Sequence, residues 1–152
     1  DLAAKVEAVA DAVDLVRRRM VGARLVVLPT VIQELRYIAK WGETDEHVRL
    51  AVIALQKLTG WGFEPVNFLP VEFGIIEQIG RKLRRDGLLP ETEVNDSFIL
   101  AEAALLGCGL FLTSDAHFAN LDFQLLTLEL KASDVAVPAI ASPREILLKF
   151  YR

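Results

Sequence analysis

Three acidic residues, Glu34, Asp96 and Asp115, lie beside apolar segments that are otherwise suited to burial. An ionised carboxylate in apolar surroundings is unfavourable, and carboxylates gathered together raise one another's pKa. A divalent cation would relieve both effects, and ligand oxygens suit hard ions such as Mg²⁺ or Mn²⁺ better than zinc. These residue types therefore predict a metal site, provided that the fold brings the three acids together.

The segment VNDSFILAEAALLGCGLFLTSDAHF carries Asp96 near its start and Asp115 near its end. A helix from Asp96 to Leu106 would descend about 16 Å, and a five-residue strand would climb back about 16 Å. Both acids should therefore lie at the edge where parallel strands end, which is the ligand-binding edge of open α/β sheets. Glu34 should join them, because we predict it in the first turn of the helix after the strand LVVLP.

Helical patterns alternate with short apolar runs along the sequence, with Gly and Pro residues between them. Short strands that are apolar on both faces and alternate with helices are typical of a parallel sheet covered on each side. We therefore predict a three-layer α/β/α Rossmann-like sandwich with a mainly parallel sheet. Predicted helices cover residues 2–20, 31–41, 45–60, 70–86, 96–106 and 143–152, and predicted strands 24–30, 63–69, 109–113 and 134–140.

Several helix boundaries carry a capping signal. Thr30, followed by Gln33, is predicted as the N-cap of the second helix in the pattern of a capping box. The remaining predicted boundaries are Thr44 or Asp45, Asn95 or Asp96, Gly107, and Ser142 followed by Pro143.

Length and composition narrow the class of protein. The 152 residues fit one domain with one core. The sequence has no apolar stretch free of charges and long enough to cross a membrane, and its single cysteine favours a reducing cytoplasm. The net charge of −4 is not typical of a nucleic-acid-binding domain. The basic runs 17–19 and 81–85 could supply local positive charge, although most such runs are only solvated helix faces.

Each acid also has an ordinary structural interpretation. Asp96 could be an N-cap or first-turn acid favoured by the helix dipole, and Glu34 an ordinary first-turn acid. Asp115 could be a turn residue that caps whatever follows it. These separate interpretations do not explain why all three acids are predicted at the same edge of the sheet. His47 and His117 are predicted to be surface or turn residues and receive no role.

In the order and placement of these pieces, the sequence resembles the PIN domain family. The matching segments are VVLPTVIQEL, NDSFILAEAALLG, LFLTSDAHF and AVPAIASPREIL, which together span about residues 25–148. The resemblance implies a metal-dependent endoribonuclease that hydrolyses phosphodiester bonds of single-stranded RNA with Mg²⁺ or Mn²⁺.

Roles in the family carry over to the matching positions. Glu34, Asp96 and Asp115 are the implied catalytic residues and metal ligands, with Asp122 or Asn120 as a further ligand. Thr113, Ser114 and Asn120 are the implied substrate-binding residues.

One segment of the family pattern is not found in this sequence. Family members carry their first acid at the end of an N-terminal strand, in an Asp-Thr-Asn-like motif, whereas this sequence opens with the helical segment DLAAKVEAVADAV. We therefore expect residues 1–152 to form a single PIN-like domain whose first strand lies upstream of the sequence given.

Three functions follow as hypotheses. The first is the endoribonuclease, as the toxin of a toxin–antitoxin pair whose antitoxin would cover the acidic edge. The second is a non-catalytic PIN-like module that binds RNA or protein. The third is a receiver-like domain with an aspartate phosphoacceptor. Trp41, Trp61 and Phe63 are predicted in the core, whereas an exposed aromatic cluster would mark a homodimer interface.

Overall fold

The computed structural model describes residues 2–150, with the side chains of residues 6–150. Helices and parallel strands alternate along these residues, which confirms the predicted α/β class. In chain order the elements are α1 (Leu2–Arg19), β1 (Val26–Val27), α2 (Pro29–Trp41), α3 (Asp45–Gly60), β2 (Glu64–Pro65), α4 (Pro70–Arg85), α5 (Val94–Leu106), β3 (Leu110–Leu112), α6 (Ala116–Ala119), α7 (Phe123–Ala132), β4 (Ala139–Ala141) and α8 (Pro143–Phe150).

The strands form two parallel pairs. In one pair Val26 of β1 lies opposite Glu64 of β2, and in the other Phe111 of β3 lies opposite Ile140 of β4. Parallel pairing is therefore confirmed, and within the described residues each sheet has two strands. The elements group into two compact units, a smaller one of Ala23–Leu69 and a larger one of Asp1–Gly22 with Pro70–Arg152.

The smaller unit contains β1, α2, α3 and β2. As predicted, Thr44 caps α3, because its hydroxyl accepts the backbone N–H of His47 at 3.1 Å. The prediction that Thr30 caps α2 is wrong, since that helix begins at Pro29. Proline suits the first helical position because its φ is already helical and its missing N–H would have no partner there. Glu34 consequently lies in the second turn of α2 and not in the first.

Three aromatic residues of the smaller unit were predicted in the core, and none of the three is fully buried. Trp41 is 63% exposed, with the Lys40 ammonium 5.1 Å from the centre of its ring. Trp61 and Phe63 are half-buried. The prediction of a core position is therefore wrong for Trp41, whose ring covers a lysine side chain at the surface.

The larger unit is built on helices α4 and α5, which pack against each other. Its fully buried leucines come from these helices, from the loop between them and from α7: Leu83, Leu89, Leu100, Leu126 and Leu130. Gly80 permits the close approach of α4 to α5, because a Cβ there would lie 2.7 Å from Cδ1 of Phe98. Helix α8 packs against α1.

The start of α5 determines the position of Asp96 in the helix. This helix begins at Val94, so that Asp96 lies in its first turn, and it ends at Gly107, whose φ of 79° is left-handed. The following strand β3 has three residues instead of the predicted five. Helices α6 and α7, which come next, were not predicted. The predicted boundary at Ser142 and Pro143 is confirmed, because the Ser142 hydroxyl accepts the backbone N–H of Glu145 at 3.1 Å.

Across the described part of the chain, no helix combines the length and the apolar character that a membrane span requires.

Candidate metal centre

Asp96 is a buried carboxylate in the first turn of α5. Its residue is 9% exposed, on a helix whose next turns bury Ile99, Leu100 and Ala103. The Oδ2 atom of Asp96 lies 3.0 Å from Nδ1 of His117, which is a hydrogen bond between an acid and an imidazole. Asp96 is thus a first-turn acid, as its ordinary interpretation predicts, and it also binds a side chain 21 positions further along the chain.

Asp115 reaches the same imidazole from the end of β3. Its Oδ1 atom accepts the backbone N–H of His117 at 2.8 Å and so caps α6, which confirms the capping interpretation. The same oxygen lies 3.3 Å from Nδ1 of His117. The hydroxyl of Thr113 accepts the backbone N–H of Asp115 at 3.1 Å and fixes the turn after the strand.

Glu93 approaches His117 from its other ring nitrogen. This residue stands in the N-cap position of α5, and its Oε1 atom lies 3.7 Å from Nε2 of His117. We refer to Glu93, Asp96, Asp115 and His117 as the His117 cluster. Glu93 was not predicted from the sequence, and His117 was predicted as a surface or turn residue without a role. A carboxylate three residues before Asp96 could have indicated Glu93, whereas the meeting of His117 with residues 93–96 is a tertiary contact.

The electrostatics of the cluster follow from burial and from its three acids. Burial raises the pKa of Asp96, the hydrogen bond from His117 opposes that change, and the charges of Asp115 and Glu93 add to it. The pKa of His117 is raised above 6.5, first by its hydrogen bond to Asp96 and then by the charges of Glu93 and Asp115. The His117 side chain is 41% exposed, so water screens these interactions.

The donor atoms fit a divalent cation. One ligand atom each from Glu93, Asp96 and His117 can be chosen so that all lie within 4.8 Å of one another. Two of these atoms are carboxylate oxygens and one is an imidazole nitrogen. Carboxylates are suitable ligands for Mg²⁺ and Mn²⁺, and imidazole is a suitable ligand for transition metals. Asp115 adds a third carboxylate beside them. A cation at this position would offset both the burial and the repulsion among the acids, which raise the pKa of Asp96.

A small cavity of about 80 Å³ opens beside Asp115, at the carboxyl ends of β3 and β4. The backbone N–H of Thr113 donates to the carbonyl of Ala141 at 3.0 Å, which holds the two strand ends together at this cavity. The polar residues that line it are Thr113, Ser114, Asp115, Ser142 and Glu145.

Asp122, Asn120 and Glu34 were also predicted as site residues. Asp122 is exposed and caps α7, since its Oδ1 atom accepts the backbone N–H of Leu125 at 3.1 Å. Asn120 is exposed and follows the last residue of α6. Glu34 is half-buried on α2 of the smaller unit. The structure therefore brings Asp96 and Asp115 together through His117, and the metal roles of Glu34 and Asp122 stay predictions.

Comparison with known proteins gives one family. The model of the family described as PIN domain matches residues 4–124, which include Asp96, Asp115 and both residues that the sequence predictions missed. No curated protein and no solved structure shows significant similarity to the chain.

Proposed function

The chain belongs to the PIN domain family, and from this premise we propose that it is a metal-dependent endoribonuclease acting on single-stranded RNA. PIN domains are generally nucleases and typically use divalent metal ions. The observation that carries the proposal is the convergence of Asp96, Asp115 and Glu93 on His117. We propose Mg²⁺ or Mn²⁺ as the ion, with Mn²⁺ favoured by the imidazole in the donor set.

A bound divalent ion would supply Lewis-acid chemistry at the scissile phosphate and a more acidic water as the nucleophile. Glu93, Asp96 and His117 would hold such an ion, with Asp115 beside them and Glu34 as a further ligand to be tested. Asp96 is suited to this role because it is fixed on α5 and mostly shielded from water. Asp115 is fixed in turn by its own capping bond to the His117 backbone.

His117 orients the two aspartates. Its Nδ1 atom lies within 3.0 Å of Asp96 and 3.3 Å of Asp115, and its backbone N–H holds the second of these acids. In its protonated form the ring supplies a positive charge opposite the carboxylates. We propose that this charge preserves the arrangement of the acids when no cation is bound.

The test is cleavage of a labelled single-stranded RNA by the full-length protein. We expect cleavage that requires Mn²⁺ or Mg²⁺, stops with EDTA, and falls at least about 100-fold in the Asp96→Asn variant, as for removal of a group that acts in the transition state. Asp134→Asn is the matched control, because it removes the same charge at an exposed residue. Asp134 has a φ of 56°, a conformation that Asn also adopts readily.

The outcomes separate the hypotheses. Cleavage that is insensitive to EDTA, or equal in Asp96→Asn and Asp134→Asn, would contradict the metal-dependent mechanism. The alternative is a PIN-like module that binds RNA or protein without catalysis, and the net charge of −4 favours it. A titration calorimetry experiment that detects no Mn²⁺ binding to the full-length protein would support this alternative.

We also propose that the protein is the toxin of a toxin–antitoxin pair. A toxin of this family would be cytoplasmic and would be inhibited by an antitoxin that covers the carboxylates of the His117 cluster. Co-expression with the protein encoded next to it, followed by purification and an RNA cleavage assay, tests both the partner and the inhibition. A homodimer through the exposed Trp41 is tested by sedimentation of the wild type and of Trp41→Ala.

A further inference from the structure

The cavity at the strand ends has polar lining residues that, apart from Asp115, do not belong to the His117 cluster. Ile140 and Ala141 of β4 line it, and its polar residues come from the turn after β3 and from the start of α8. Glu145 stands on the first turn of α8 and faces this cavity together with Asp115. A second carboxylate therefore lines the space next to the proposed catalytic one.

The hydrogen bonds of the lining show which groups are available to a ligand. The hydroxyls of Thr113 and Ser142 each accept a backbone N–H, so each O–H hydrogen remains to donate elsewhere. Within residues 6–150, the Ser114 hydroxyl and the Glu145 carboxylate make no hydrogen bond. The cavity thus offers three hydroxyls, which can donate and accept, beside two carboxylates, which accept when ionised.

The hydroxyls and carboxylates of the lining indicate which chemical class of ligand the cavity can bind. A phosphate group carries acceptor oxygens and negative charge, so Asp115 and Glu145 would repel it. An alcohol both donates to a carboxylate and accepts from a hydroxyl, and it matches the lining. The cavity, of about 80 Å³, is large enough for a hydroxyl group.

We propose that this cavity binds a ribose 2′-hydroxyl of the substrate strand, with Glu145 as the acceptor, and so selects RNA over DNA beside the cleavage site. The inference rests on the proposed function and extends it from the metal centre to the sugar. The 2′-hydroxyl is the group by which a protein distinguishes RNA from DNA at a given position. Because Asp115 belongs to both the cavity and the His117 cluster, the sugar would lie next to the scissile phosphate.

The experiment is a double-mutant cycle between the protein and its substrate. The cleavage position is first mapped on an all-RNA strand, and strands with one 2′-deoxy nucleotide on either side of it are then compared. We expect one of these replacements to slow the wild type about tenfold, the effect of losing a hydrogen bond to a charged group. Glu145→Gln should slow cleavage of the all-RNA strand by a similar factor and make it insensitive to the deoxy replacement.

Two controls accompany the cycle. Glu7→Gln removes an exposed carboxylate from α1 of the same unit and should retain the wild-type rate and the wild-type preference for RNA. Glu145→Asp keeps the charge on a shorter side chain and should recover part of that preference. The Mn²⁺ concentration that gives half-maximal activity should be unchanged in Glu145→Gln, since this residue lies outside the proposed ligand set.

The results that would overturn the inference differ from those that would overturn the proposed function. Multiplicative effects of Glu145→Gln and the deoxy replacement, or a wild type indifferent to both deoxy positions, would overturn the sugar site while leaving the nuclease intact. A changed Mn²⁺ requirement in Glu145→Gln would also overturn it, because the residue would then act on the metal. A wild type that cleaves no strand with any divalent ion would overturn both.

Discussion

At His117 a protonated imidazole faces the carboxylates of Asp96 and Asp115. The raised pKa values of His117 and Asp96 determine how the stability of the fold changes with pH. The pKa of His117 is raised above 6.5, so its pairing stabilises the folded state fully below that pH. This contribution is lost as the pH rises through the folded pKa. The pKa of Asp96 is raised above 3.8, so ionising this buried acid also lowers stability as the pH rises through its folded value.

We therefore predict a pH-dependent effect of His117→Gln in metal-free buffer. The variant should be less stable than the wild type near pH 5.5, and the difference should shrink as the pH rises above 6.5 through the raised pKa of His117. Urea unfolding at a series of pH values, with EDTA present, measures it. His47→Gln, at the other and exposed histidine, should show no such trend. A difference that grew toward pH 8 would contradict the assigned charge pair.

Substitution of the buried Asp96 by Asn tests both the cost of its charge and its role in binding Mn²⁺. At pH 8 without metal, this variant should be at least as stable as the wild type, because burial disfavours the ionised carboxylate. Mn²⁺ at about 100 times its dissociation constant should stabilise the wild type by about 2.7 kcal/mol and leave the variant unchanged. Thermal unfolding with and without Mn²⁺ measures both effects. Equal stabilisation of the two proteins would place the ion elsewhere.

Among the elements, the crossing of α4 and α5 determines where Asp96 stands. A Cβ at Gly80 would lie 2.7 Å from Cδ1 of Phe98 and 3.1 Å from Oγ of Ser97, the residue next to Asp96. We predict that Gly80→Ala lowers the free energy of unfolding by about 1–3 kcal/mol, the cost of overpacking. Urea denaturation measures the loss.

Gly74 supplies the matched control on the same helix. A Cβ there meets no atom within 4 Å, so Gly74→Ala should raise stability by up to about 1 kcal/mol through helix propensity alone. If both variants changed stability equally, the contact at Gly80 would not limit the approach of the helices.

The N-cap of α7 gives a test that separates two roles of Asp122. Asp122→Ala should cost about 1 kcal/mol of stability by removing the acceptor for the Leu125 N–H. Asp122→Ser retains a capping oxygen and should restore that stability. Mn²⁺ affinity, measured by calorimetry, tests the predicted metal role. If Asp122 is a metal ligand as predicted, Asp122→Ser should lose Mn²⁺ affinity while keeping its stability, whereas unchanged affinity would leave Asp122 as a cap alone.

Local signals predicted most of the elements. Thr44, Gly107 and Ser142 mark boundaries correctly because a cap or a left-handed glycine is a property of a few neighbouring residues. Thr30 failed because Pro29 competed for the same helix start. Helix α7 was missed because LLTLEL partly alternates apolar and polar residues, as a strand does.

The sequence predicted the two aspartates of the candidate site but not its other two residues. The meeting of Asp96 and Asp115 follows from a helix and a strand that run back along each other, which the sequence contains. The positions of Glu93 and His117 depend on the conformation of the turns before α5 and after β3, and no periodic pattern determines those turns.

For the molecule as a whole, the charge distribution limits how RNA can bind. The net charge is −4, and the basic residues of α4 are partly neutralised by neighbours. Arg81 pairs with Glu77 at 2.9 Å, and Lys82 lies 3.3 Å from Glu129. Affinity for RNA should therefore depend on the metal centre and the sugar site more than on a basic surface.

We predict that RNA affinity at a constant divalent-ion concentration depends weakly on salt. About two phosphate contacts would weaken binding about sevenfold between about 50 and 200 mM KCl. Fluorescence anisotropy with a labelled single strand and the wild-type protein, with Ca²⁺ in place of Mn²⁺ so that the strand is bound without being cleaved, gives the slope. A loss of more than about 100-fold over that range would reveal a basic surface with several phosphate contacts.

The chain contains two histidines, one in the His117 cluster and one at the start of α3. Its imidazole region in a proton NMR spectrum should therefore hold two sets of signals, one from the cluster and one from a solvated reference. Paramagnetic Mn²⁺ broadens nearby resonances steeply with proximity, so selective disappearance of the His117 signals would locate the ion without substituting any residue.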